Sequence, residues 1–112
     1  MIITDIQLFA DGSIDIIFSD YCSSKTIRRH LSIGDKCTVI YHGPYMSKRK
    51  ELIFLDFRTY VSKIQISGNK LIYVEKYYGL KGSLHFVNDN GKLVVINFNE
   101  IEDIITKEEN ND

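Results

Sequence analysis

The sequence predicts an all-β domain: a small barrel or a two-sheet sandwich of seven to eight mostly antiparallel strands, with a short C-terminal helical turn. Three observations carry this expectation. Alanine occurs once, at Ala10, whereas seven Tyr, six Phe and many Ile supply the aromatic and β-branched side chains that suit pleated surfaces. Short apolar runs recur between glycine, asparagine and aspartate turn signals, about ten residues apart. No long stretch carries the apolar period of an amphipathic helix.

Residues 2–9 and 14–21 read as two arms of a hairpin around Asp11-Gly12, the pair that tight turns favour. Ile14, Ile16 and Phe18 alternate with Asp15 and Ser19, the period-2 signature of a sheet with one wet face. Residues 22–33 fit two readings. Ser24 would cap a short helix ended by Gly34, yet Ile27, Arg29 and Leu31 also alternate as a strand does, and strand is the preferred reading. Lys36–His42 is a strand. From His42 to Lys50 the one proline, next to Gly43, and three consecutive cations read as an exposed basic loop. Residues 51–57 resume as a nearly continuous apolar strand, which suggests burial on both faces or a central position.

Two further hairpins follow. One turns at Ser67-Gly68-Asn69 between strands at 61–66 and 71–77; the other turns at 88–91 between strands at 83–87 and 92–98. Tyr77-Tyr78 places one tyrosine in the core and its neighbour outside, since successive strand residues face opposite ways. At the end, Asn99 reads as a helix N-cap with Ile101, Ile104 and Ile105 on one helical face. This closing pattern resembles the strand, helical turn and last strand of Sm-like and SH3-like small barrels over a dozen residues. No residue role is carried over from that likeness. Residues 1–106 are expected to form one β domain and 107–112 a frayed acidic tail.

No basic segment precedes the apolar residues at the start, and no window approaches the roughly 18 apolar residues of a membrane span. A cytoplasmic protein without membrane association is therefore expected. In that compartment Cys22 and Cys37 read as reduced thiols, a disulfide between them being the less favoured alternative. Abundant Ile, Lys, Asn and Tyr match an AT-rich coding sequence, as in a low-GC bacterium, its phages or its mobile elements.

The net charge of -1 conceals a segregation. Residues 1–24 carry -4, residues 25–50 carry +6, residues 51–98 carry +2 and residues 99–112 carry -5. Lys25, Arg28 and Arg29 form one basic group and Lys48, Arg49 and Lys50 a second, with Tyr41, His42 and Tyr45 beside them as candidate stacking platforms. Cations attract phosphates through a long-range field, and aromatic rings stack on bases. These nine residues are the candidate site for nucleic acid or another partner, provided that the fold brings the two groups side by side.

Recognisable catalytic chemistry is missing. Cys22, His30, Cys37 and His42 lack the close pairs by which one turn presents two metal ligands. No nucleophile elbow, phosphate-binding glycine loop or dinucleotide fingerprint occurs, and Gly79–Gly82 is explained by a turn. Glu100, Glu102 and Asp103 sit near a solvated end, and His85 reads as a strand residue on the polar face. The expectation is a non-enzymatic binding module without cofactor or metal, docking on nucleic acid or a nucleoprotein. The alternative is a small phage- or mobile-element-type inhibitor or adaptor of a host protein, such as a nucleic-acid-processing or defence enzyme. Self-association through an uncovered edge, either residues 52–57 or the last apolar strand, is a further expectation.

Overall fold

The computed structural model describes residues 1–20, 23–61, 63–75 and 78–106, with the backbone alone at Val61. Among them, ten strands form: β1 (Ile2–Leu8), β2 (Ile14–Ser19), β3 (Thr26–Leu31), β4 (Lys36–His42), β5 (Ser47–Val61), β6 (Lys63–Ser67), β7 (Lys70–Val74), β8 (Lys81–Val87), β9 (Leu93–Asn97) and β10 (Ile101–Thr106). They make two five-stranded sheets in the orders β3-β2-β1-β7-β6 and β10-β4-β5-β8-β9. All pairings are antiparallel. The all-β reading therefore holds, but the strand count rises to ten and no barrel closes.

One core lies between the sheets. The first contributes Ile3, Ile6, Ile14, Ile16, Phe18 and Leu31; the second contributes Cys37, Val39, Leu52, Phe54, Leu84, Phe86, Ile96, Ile101 and Ile104. Rows across the first sheet show its inward face: Ile6 opposes Ile16 and Tyr73, while Ile14 opposes Leu31. Phe57 and Tyr73 meet edge-on across the gap, their ring centroids 5.5 Å apart. Such T-shaped pairs are favoured by the ring quadrupoles.

Two segments depart from the sequence reading. Residues 47–50 belong to β5, so the expected loop is only the Gly43–Met46 turn, closed by the Gly43 N–H donating to the Met46 carbonyl. The sequence signal there is charge, which marks exposure but does not forbid a strand. The expected C-terminal helix is a single 3-10 turn, Phe98–Glu100, with Asn97 rather than Asn99 at the N-cap position and no capping bond from its side chain, and then a strand. The helix-like spacing of Ile101 and Ile104 comes from a β-bulge. Ile101 pairs with Tyr41 and Asp103 with Ile40, which leaves Glu102 as an extra residue and turns both isoleucines inward.

The same device recurs. Thr4 is the extra residue between Ile3 and Ile6, and Leu55 between Phe54 and Phe57. In each case core residues stand three apart where a regular strand would place them two or four apart. Gly82 marks another constraint. It adopts φ +152°, and a Cβ there would lie 1.9 Å from the Arg58 carbonyl oxygen, so no larger residue fits while β8 stays against β5.

The strand reading of 22–33 holds for β3, and residues 51–57 take a central position within β5 between β4 and β8, so they are neither an uncovered edge nor buried on both faces, Asp56 being exposed. Tyr78 is exposed, while Tyr77, Cys22 and the 107–112 tail lie outside the described residues. No helix among the described residues is long and apolar enough to cross a membrane.

Candidate functional site

The fold divides the nine candidate residues between two sheets. Arg28 and Arg29, adjacent on β3, point to opposite faces, as strand geometry requires. Arg28 lies outside and donates from Nη1 to Asp15 Oδ2 at 2.6 Å and to Gln7 Oε1 at 3.2 Å. Arg29 lies on the core side and spans the gap to β10, with Nε 3.1 Å from Asp103 Oδ1. Both guanidinium charges are thus committed to carboxylates. Lys25 is exposed just before β3 and lines a shallow cleft with Asp5 and Ser19.

The second basic group stands on the β4–β5 hairpin. Lys48 opposes Tyr41 and Lys50 opposes Val39, so these two cations share one face with the Tyr41 ring; Arg49 opposes Ile40 on the reverse face. Ile40 in turn opposes Asp103. Near the tip Glu102 Oε1 accepts from Ser47 Oγ at 2.9 Å and lies 3.1 Å from His42 Nδ1, so the reverse face carries anions beside Arg49. Tyr45 (97% exposed) and Met46 (71%) form the tip. Between β5, which carries Lys48, Arg49 and Lys50, and β3 stand β4 and β10, and the two basic groups do not form one continuous patch. Of the cations in 25–50, Arg28, Arg29 and Lys36 are paired with Asp15, Asp103 and Glu51. Among the described residues no hydrogen bond or ion pair engages the side chains of Lys25, Lys48, Arg49 or Lys50.

Two polar constellations were not legible in the sequence. On the outer face of the first sheet, Asp15, only 8% exposed, is held by Arg28 and by His30, whose Nδ1 donates to Oδ1 at 2.7 Å. Gln7 Oε1 accepts from Arg28 and from Lys70 Nζ at 3.0 Å, while Lys70 Nζ also lies 5.8 Å from the centre of the Phe9 ring. Each member comes from a different strand except Arg28 and His30, whose i, i+2 spacing on β3 was the only signal available. A buried carboxylate is costly unless fully satisfied, and here two donors satisfy it. The cluster therefore fixes the β1–β2–β3 register.

On the outer face of the second sheet, Asp56 Oδ1 lies 2.7 Å from His85 Nδ1, and His85 Nε2 lies 3.0 Å from Ser83 Oγ. With the proton on Nδ1, Nε2 accepts from the serine hydroxyl. The order of groups is that of a hydrolytic relay. Ser83, however, is 1% exposed, and a nucleophile must reach its substrate; this relay ties β5 to β8 and offers no attacking oxygen.

His30, Cys37 and His42 stand respectively on the first sheet's outer face, in the core and at the hairpin, and no group of three or more candidate ligands gathers among the described residues. Burial pushes the Cys37 thiol up to about 12, so it stays protonated at neutral pH. Comparison with protein-family models, with curated proteins and with solved structures yields no match to this chain.

Proposed function

We propose that the chain is a non-enzymatic binding module of the cytoplasm that grips nucleic acid or a nucleoprotein with its β4–β5 hairpin. One observation carries the reading: Lys48 and Lys50 are uncommitted cations on the face that presents Tyr41, on the part of β5 that runs past β8 to a hairpin tip exposed at almost every position from His42 to Glu51. A ring beside cations suits an unpaired base, and the cations suit backbone phosphates. Arg49 and His42 on the reverse face and Tyr45 at the tip extend the surface. Lys25, Arg28 and Arg29 have a subsidiary place, because both arginines are occupied.

The test is fluorescence anisotropy of labelled single- and double-stranded oligonucleotides at low and moderate salt. Binding is expected to weaken steeply as salt rises. Replacing Lys48, Arg49 and Lys50 together by Ala should flatten the log–log salt slope by about one unit for each phosphate that is no longer neutralised. Thermal stability should stay within about 0.5 kcal/mol, as for exposed surface changes. Absence of binding by the unaltered chain at low salt overturns the proposal.

Tyr45 and Met46 favour a second reading, an inhibitor or adaptor seated on a host protein, since exposed Tyr and Met are enriched at protein interfaces. Under that reading, Tyr45→Ala with Met46→Ala abolishes partner binding while the triple charge variant retains it.

A further inference from the structure

Four strands end the two sheets: β3 and β6 in the first, β9 and β10 in the second. β3 and β10 lie against each other and are bridged by Arg29 and Asp103. β9 is open along its edge but packs Ile96 into the core. β6 differs from all three. Every residue from Lys63 to Ser67 is exposed, including Ile64 (59%) and Ile66 (80%).

These two isoleucines lie on the core-facing side of their sheet. Ile64 opposes Tyr73, which opposes Ile6; Ile66 opposes Leu71, which opposes Leu8. The covering sheet reaches Tyr73 through Phe57 and leaves β6 bare. Gly68, at φ +62°, occupies the first of two turn positions between Ser67 and Lys70, the place where a type II′ turn takes glycine. In such a hairpin the closing pair is doubly hydrogen-bonded, so Ser67, Gln65 and Lys63 turn their backbone groups toward β7. Ile64 and Ile66 turn theirs outward. The side chains without cover and the backbone groups without a strand belong to the same two residues.

We infer that β6 pairs antiparallel with β6 of a second copy of this chain, about a two-fold axis at Gln65. That register matches Lys63 with Ser67, Ile64 with Ile66 and Gln65 with Gln65. Outward N–H and C=O groups then meet their counterparts, four isoleucines share one face, and no like charges oppose. The five-stranded sheets join into one of ten strands. The self-matching sequence selects a second copy over an unrelated strand, and the inference stands independently of the nucleic-acid reading.

Light scattering over a concentration series should show the mass rising from one chain of 13.0 kDa to two. Ile64→Lys with Ile66→Lys should hold the mass at one chain while circular dichroism shows a folded β protein. Gln65→Cys supplies a readout that survives if that variant misfolds. Residues paired on the axis sit about 4.5 Å apart at Cα, within disulfide range, so mild oxidation should give a covalent dimer. Lys63→Cys should not link, its two copies being roughly 13 Å apart at strand spacing, and neither should the unaltered chain with Cys22 and Cys37. A single-chain mass throughout, equal cross-linking at Lys63→Cys, or a dimer lost through Leu93→Lys with Val95→Lys but not through β6 overturns the inference.

Discussion

The two sides of the molecule where the sheets end are built on opposite plans. On one side β3 meets β10: Leu31 and Ile104 are fully buried, and Arg29 crosses from sheet to sheet to reach Asp103. On the other, β6 and β9 end their sheets, with Ile64, Ile66, Leu93 and Val95 at the surface. Edge strands invite pairing unless charged, covered or bent. The closed side uses charge and cover. The open side uses neither beyond Lys63, which teaches that a chain can protect one seam of a two-sheet fold and leave the other for association.

The sharpest way to break this comparison is to remove core volume at the closed side. Leu31→Ala should lower unfolding free energy by about 2–5 kcal/mol, as measured by urea denaturation, whereas Ile66→Ala should change the monomer by no more than about 0.5 kcal/mol. Equal losses would erase the distinction. Next comes the bridge itself. Arg29→Ala should cost about 1–2 kcal/mol, since its pairing with Asp103 is two-thirds or more buried on both sides. A double-mutant cycle with Asp103→Ala should recover about 0.5–1 kcal/mol of coupling.

A smaller effect concerns Cys37 on β4. Between its ordinary 9.0 and about 12 the native thiol keeps a proton that the unfolded chain releases, so the unfolding free energy should fall as pH rises through that window. The difference between the parent and Cys37→Ala should show it, and the native thiol should resist alkylation at neutral pH until the chain unfolds. The smallest effect lies in the β1–β2 turn. Asp11 accepts from the Ser13 hydroxyl and N–H, which holds its carboxyl below the ordinary 3.8. That contribution is present above 3.8 and disappears as pH falls through the lowered value, so Asp11→Asn should melt slightly earlier at neutral pH and lose the acid dependence.

Much of the fold was legible because period-2 alternation survives wherever strands are regular. β2 announces itself through Ile14, Ile16 and Phe18, and β4 falls on Lys36–His42 as read. The misread segments follow from physical causes. Glu102 restarts the alternation of β10 and produces helical spacing, while the cations of β5 masked a strand that projects beyond its cover. The candidate site was legible as composition and illegible as geometry. Nothing local reveals that Arg28 answers Asp15 or that Arg29 answers Asp103 74 positions later, so a +6 segment reads as a patch when three of its seven cations are already paired. The Asp56–His85–Ser83 relay was hidden likewise, because only the β5–β8 register brings Asp56 opposite His85.

The bulges at Thr4, Leu55 and Glu102 bear on how the gene can change length. Each adds one residue that the partner strand does not match, so core residues three apart in sequence still face inward. Deleting the Glu102 codon would leave Ile101, Asp103 and Ile104 opposite Tyr41, Ile40 and Val39 in a regular ladder with Ile104 and Thr106 still facing the core, whereas deleting Thr38 from the regular strand β4 would turn Cys37 or Val39 outward. In this chain the bulges are the strand positions most permissive to a one-residue deletion.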